Sequence, residues 1–201
     1  MRKIILLSVF LLLAIFAFSD EYVIFTGTGF VYNDLLKTST DTTFAFKFDD
    51  EQKVFYLVTA DFLITGWIIL TPDDLTKLRP NLDKYMEWER TAVVKGVEIE
   101  KELPNSTIAT RVIWKYGDDW HNSNDIQLSF TFFSQNKSRH QLVIGSNKVT
   151  SPKNEYITYK LDQLYLDKDQ VQAFSKGISA QQIEIATKDH EQKKTNEDLF
   201  Q

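Results

Sequence analysis

Thr43-Phe-Ala-Phe-Lys-Phe48 alternates strictly between phenylalanine and small or charged residues. This period of two is typical of a β-strand that buries one face. The polar residues 49–52 favour a turn, and two further runs, Val54–Thr59 and Phe62–Leu70, are rich in β-branched and aromatic residues. We therefore predict successive strands between residues 43 and 70.

A long helix is predicted directly after these strands. Thr71 can cap free N–H groups, Pro72 needs no donor at the first helical position, and two aspartates follow near the positive helix end. Gly96 favours a helix end, so the helix spans about 72–95. Because the ring of Pro80 conflicts with the carbonyl four residues earlier, we predict either a kink or two shorter helices.

One acidic residue interrupts the apolar stripe of this helix. At about 100° per residue the stripe is formed by Leu82, Tyr85, Met86, Ala92 and Val93. Glu89 falls in its middle, where a carboxylate must reach solvent or find a partner. Two interpretations stay open: a structural ion pair with an arginine such as Arg111, or a functional acid.

The rest of the chain adds alternating strands and a second helix. Strands are predicted near residues 22–32, 108–116, 126–133, 140–144 and 155–166. A short helix of about 168–176 begins at Asp167, with Gln170 at the reciprocal capping position. Ile183 and Ile185 favour a last strand or turn. The predicted fold class is α+β, mainly β: an antiparallel twisted sheet or a two-layer sandwich carrying one long and one short helix.

Two segments resemble each other without a gap: Leu70-Thr-Pro-Asp-Asp-Leu75 and Leu166-Asp-Lys-Asp-Gln-Val171. Upstream, the alternating residues 44–48 resemble residues 128–132. A duplicated strand–strand–helix unit would explain both similarities, and so would any two capped helices that follow strands.

The N-terminus is typical of an export signal. Met1-Arg2-Lys3 is a basic head, Ile4–Phe18 is apolar, and small residues precede Asp20. We predict a signal peptide at 1–19, a single globular domain at 20–187 and a polar tail without regular structure at 188–201. The apolar run is shorter than the ~18–20 residues of a spanning helix, and an uncleaved N-terminal anchor is the alternative.

Composition narrows the function classes. Without residues 1–19 the chain has 21 basic and 28 acidic residues, a net charge of −7, which argues against nucleic acid as a partner. The absence of cysteine excludes disulfides, thiolate metal sites and a cysteine nucleophile. An exported protein without disulfides favours a bacterial periplasmic or secreted location, with no membrane span after signal cleavage.

No catalytic template is present in the sequence. The three histidines do not form a His-Glu-x-x-His motif, and no Gly-x-Ser-x-Gly elbow occurs. We therefore assign no catalytic residue, metal ligand or cofactor. The most suggestive segment is the predicted nine-residue loop Gly117–Asp125, which combines carboxylates, amides, an imidazole and an indole. Its candidate ligand-binding residues are Asp118, Asp119, Trp120, His121, Asn124 and Asp125.

The alternative interpretation of this loop is a solvated hairpin turn, since Asn, Asp and Gly favour turns. The sequence favours a non-catalytic binding domain, whose partner is an envelope protein or a glycan. An extracytoplasmic hydrolase is the alternative, with Glu89 or the two aspartates acting together with His121, and it requires at least two of these groups to meet in a cleft. A structural component is a third option, and the sequence leaves the oligomeric state open.

Overall fold

The computed structural model describes residues 21–33, 38–60 and 64–199. The predicted signal peptide lies outside them. The strands are β1 Glu21–Asn33, β2 Thr38–Asp49, β3 Val54–Ala60, β4 Ile64–Leu70, β5 Glu100–Tyr116, β6 Asp119–Asn136, β7 Arg139–Ser146, β8 Val149–Ser151, β9 Asn154–Tyr159 and β10 Leu164–Asp167. The helices are α1 Pro72–Lys95, α2 Lys168–Gly177 and α3 Ala180–Asp198.

The main sheet is antiparallel, as predicted, but it closes into a barrel. Its strands follow the order β1-β10-β7-β6-β5-β4-β3-β2, with β2 returning to β1, while β8 and β9 form a separate hairpin. Of the predicted antiparallel twisted sheet or two-layer sandwich, the antiparallel sheet is confirmed, whereas the two-layer arrangement is replaced by a closed barrel. The predicted strand at residues 155–166 is also two strands, β9 and β10, which belong to different sheets.

The closing pair of strands is short. β1 and β10 are paired at Phe30–Tyr165 and Val31–Leu164. Beyond this point α2 lies beside β1, where the ring of Phe174 packs 5.6 Å from that of Phe25. A helix thus covers the part of β1 that β10 does not reach.

The barrel interior is a packed core. The inward side chains of the strands include several large rings that are fully buried: Phe46, Trp114, Phe130 and Phe132. Helix α1 adds Leu82 and Tyr85 to the same core, and the Tyr85 hydroxyl donates to the His140 carbonyl over 2.7 Å. Side chains therefore occupy the space inside the strands, as in small barrels generally.

The single long helix predicted for about 72–95 is confirmed as α1, and the alternative of two shorter helices is wrong. The Asp74 N–H donates to Thr71 Oγ1 over 3.3 Å, and the Thr71 N–H donates to Asp74 Oδ2 over 2.9 Å. Gly96 ends the helix with a φ of 59°. Thr76 and Pro80 both lie on the exposed side. Water can therefore satisfy the carbonyl that Pro80 leaves without a donor.

The C-terminal region departs from the prediction. The short helix is confirmed as α2, but the strand or turn expected at Ile183 and Ile185 is wrong, because both residues belong to α3. Residues 188–198, for which a tail without regular structure was expected, continue that helix. Ser179 caps its first turn by accepting from the Gln182 N–H over 3.2 Å, and Ile183 packs against the main core.

The strand order is consistent with a duplicated unit, one of the two explanations that the sequence leaves open. β2, β3 and β4 are neighbours and lead into α1, whereas β6, β7 and β10 are neighbours and lead into α2. The second unit differs by the β8–β9 hairpin between β7 and β10. Each helix follows the last strand of its unit through a capping box.

No helix of the described residues is both long enough and apolar enough to cross a membrane.

Candidate functional site

The predicted loop Gly117–Asp125 is largely strand. A tight turn at Gly117 and Asp118 joins β5 to β6, and Gly117 has a φ of 60°. Pairing with β5 begins at Asp119, which lies opposite Tyr116. The prediction of a nine-residue loop is wrong because its polar residues from Asp119 onward belong to the β5–β6 hairpin, whose register shifts between Ser123 and Ile126.

This pairing places His121 inside the barrel. The imidazole is 5 % exposed, lies opposite Trp114 and packs 5.7 Å from its ring. Its Nδ1 is 3.1 Å from Ser151 Oγ on the β8–β9 hairpin. Among the described residues, Nε2 has no hydrogen-bond partner. His121 is thus a core side chain, separated from Trp120 by the sheet itself.

Trp120 points outward and belongs to an aromatic stripe that crosses the barrel surface. The stripe consists of Tyr56 on β3, Trp67 on β4 and Trp120 on β6. The Trp120 and Trp67 rings are 5.7 Å apart and nearly perpendicular, and the Trp67 and Tyr56 rings are 5.5 Å apart. Lys47 places its ammonium 4.9 Å from the Trp67 ring centre. Trp120 is 46 % exposed, so the stripe reaches solvent at this end.

A small cluster on the outside of the barrel supports the stripe. Its buried members are Val54, Tyr56 and Ile69, and half-buried Val58, Trp67 and Ile113 pack against them. The Tyr56 hydroxyl donates to Asp49 Oδ2 over 3.1 Å, which fixes the ring. Burial and the neighbouring Asp49 carboxylate raise the pKa of Tyr56 above its ordinary value. The sequence prediction did not single out Tyr56 and Trp67, although it placed both in strands through their β-branched and aromatic content.

The other predicted site residues are exposed around the β5–β6 hairpin. Asp118 and Asp119 lie at the turn beside Trp120, and Lys115 lies opposite Trp120 on β5. Asn124 and Asp125 lie further along β6, where the Asp125 carbonyl accepts from Asn147 Nδ2 over 3.0 Å. Within the part of the chain that the structure describes, no three or more His, Asp or Glu side chains are grouped to hold a metal ion.

Glu89 forms an ion pair that joins two helices. Its Oε2 lies 3.0 Å from the ammonium of Lys168, the first residue of α2. The partner is therefore Lys168 and not Arg111, which lies on the exposed face of β5. Burial, with a further contribution from the Glu89 charge, raises the pKa of the nearby Tyr85 hydroxyl.

The groups on which the hydrolase alternative depends either contact different residues or face solvent. Glu89 pairs with Lys168, His121 contacts Ser151, and Asp118 and Asp119 are exposed at a turn. Among the described residues none of these groups hydrogen-bonds to another. Their contacts give no support to a shared proton-transfer site.

A groove of about 360 Å³ lies elsewhere on the barrel surface, and we call it the outer groove. It is lined by Phe30, Tyr32, Ser39, Asp41, Phe133, Gln135, Arg139, Gln141 and Tyr165. No sequence pattern indicates this groove, because its residues come from β1, β2, β6, β7 and β10 and meet only when the barrel closes.

Comparison of this chain with protein-family models, with curated proteins and with solved structures found no match.

Proposed function

We propose that this protein is a non-catalytic binding domain of the bacterial envelope or of secreted material, and that the exposed end of the aromatic stripe, at Trp120 and Trp67, is its contact surface for another protein. The observation that carries the proposal is the outward ring sequence Tyr56, Trp67 and Trp120, which ends in a half-exposed indole.

The packed interior supports an external binding surface. Four large rings inside the strands are fully buried, so a ligand entering the barrel would have to displace core side chains. The outer surface can be reached without that penalty.

The chemistry of the stripe is that of a protein–protein contact. Tryptophan and tyrosine carry much of the binding energy in such interfaces, at the centre of a polar or charged rim. Here the rim contains both signs of charge: Lys47 contacts the Trp67 ring, Lys115 lies opposite Trp120, and Asp119 directly precedes it. Packing in the outer cluster already holds the rings of the stripe, so these rings would lose little conformational entropy when a partner binds.

Photo-crosslinking in the native organism tests this proposal. A photoreactive phenylalanine analogue is placed at position 120 and, as a control, at position 156, where Tyr156 is 87 % exposed on β9 outside the stripe. We expect a discrete protein adduct from position 120 and none of the same mass from position 156. Identical adducts from both positions, or none from position 120, contradict a specific contact at the stripe.

A further inference from the structure

We propose that the outer groove is a second binding site, for a neutral saccharide. This inference concerns a different part of the barrel from the aromatic stripe and does not depend on the protein partner proposed for that stripe.

The groove combines rings with hydrogen-bonding groups. Phe30, Phe133 and Tyr165 are half-buried and present apolar surface, and the Phe133 and Tyr165 rings meet edge to face at 5.9 Å. Ser39 and Gln135 add exposed polar groups along the same groove. A concave site of this size with mixed lining is typical of small-ligand sites, which span about 300–1,000 Å³.

Arg139 and Gln141 form a polar wall of the groove, and the Asp167 carboxylate holds both side chains in place. Arg139 donates from Nε and from a terminal nitrogen to the two oxygens of Asp167, over 3.2 and 2.9 Å. Gln141 Nε2 donates to the same carboxylate over 2.8 Å. The hydrogen bonds to Asp167 raise the pKa of Arg139. The wall is therefore ordered before any ligand arrives, which reduces the entropy lost on binding.

Charge in the groove disfavours an anionic ligand. The Asp167 carboxylate neutralises Arg139, the basic residue of the lining, and Asp41 adds a negative charge. An anion would thus meet no net positive charge. The Arg139 guanidinium lies 5.4 Å from the centre of the Phe30 ring, so a cation already occupies the face of that ring.

A neutral saccharide fits both halves of the lining. The C–H faces of a pyranose ring can pack on Phe133 and Tyr165, while its hydroxyls donate to Asp41 and exchange hydrogen bonds with Gln135. A wholly apolar ligand would instead bury these polar groups without partners, at an unfavourable free energy.

A charge series of tetrasaccharides tests the proposal in NMR titrations of the whole protein. The neutral probes are chitotetraose, cellotetraose and maltotetraose. The charged probes are the fully deacetylated glucosamine tetramer and tetragalacturonate. We expect at least one neutral probe to shift the side-chain amide signals of Gln135 and Gln141 saturably, and neither charged probe to do so.

Variants locate the site. Gln135→Ala changes an exposed residue and should weaken binding about tenfold, the effect of roughly one lost hydrogen bond. Tyr165→Ala should abolish binding, whereas Tyr165→Phe, which keeps the ring, should retain it. Trp120→Ala should bind like the wild type, and loss of binding in that variant would place the saccharide on the stripe and overturn the inference. It is equally overturned if no neutral probe shifts the groove signals, or if a charged probe binds as tightly as a neutral one.

Discussion

Glu89 Oε2 lies 3.0 Å from Lys168 Nζ, and this ion pair joins the C-terminal third of α1 to the first residue of α2. Helix α1 follows β4 and helix α2 follows β10, so the pair connects helices that leave different parts of the barrel. The two partners differ in exposure: the Glu89 side chain is 8 % exposed, whereas that of Lys168 is 45 % exposed.

Removing the lysine should therefore destabilise the protein more than removing both partners. Lys168→Met leaves a buried carboxylate without its cation, and we expect a loss of about 1–2 kcal/mol in the free energy of unfolding, below the value for a fully buried pair. The double variant Glu89→Met/Lys168→Met should recover part of that loss. Lys188→Met, which removes an exposed pair with Glu184, is the control and should have little effect. Urea denaturation measures all three, and equal losses in the two lysine variants contradict the prediction.

Tyr159 should make the stability fall at high pH. Burial raises its pKa to about 12, from an ordinary value of 10. The unfolded chain therefore loses this proton first, so the contribution is complete below pH 10 and is lost as the pH rises to about 12. A shift of this size corresponds to on the order of 2–3 kcal/mol.

The comparison of Tyr159→Phe with the wild type isolates this contribution, because Tyr56 and Tyr85 stay in both proteins. Chemical denaturation between pH 9 and 12 should show a flatter decline for the variant over the window set by the raised pKa. Parallel curves for the two proteins would mean that Tyr159 does not contribute in this way.

Gly66 should not tolerate alanine, because a Cβ there would overlap the ring of Tyr159. That ring is held by stacking on Trp114 at 5.6 Å, so it cannot move away freely. We expect Gly66→Ala to destabilise the protein by about 1–3 kcal/mol. Gly145→Ala is the matched control, since its Cβ would lie 3.5 Å from Ser129 Oγ, an ordinary contact. Similar losses in the two variants, measured by thermal unfolding, would argue against this packing.

The sequence predicts export, and N-terminal sequencing of mature protein checks it. We expect cleavage before Asp20, because Ile4–Phe18 is a short apolar run behind a basic head. Recovery of Met1 in the mature protein would instead favour the uncleaved anchor.

Local patterns were sufficient to predict most strands and two helices. The phenylalanines of residues 44–48 and the capping residues Thr71 and Asp167 act on their own neighbourhood, so their effect is visible in the sequence. Barrel closure depends on Phe30 meeting Tyr165, a pairing across most of the chain, and no local pattern encodes it.

The candidate site was predictable in part for the same reason. Trp120 was recognised, but its neighbours Tyr56 and Trp67 lie on other strands and meet it only through sheet register. His121 was grouped with Trp120 because the two are adjacent in sequence. Because successive side chains of a strand point to opposite faces, His121 enters the core and Trp120 lies on the surface.

Both proposed binding sites lie on the outside of the barrel. The chain has four tryptophans, and the indole N–H signals of all four can be followed by NMR while the protein captured through position 120 is added. Trp67 and Trp120 lie on the stripe, Trp114 is inside the barrel, and Trp88 packs against Phe132. We predict that the signals of Trp67 and Trp120 shift while those of Trp88 and Trp114 stay in place. A shift of Trp114 with Trp67 and Trp120 unchanged would contradict the account.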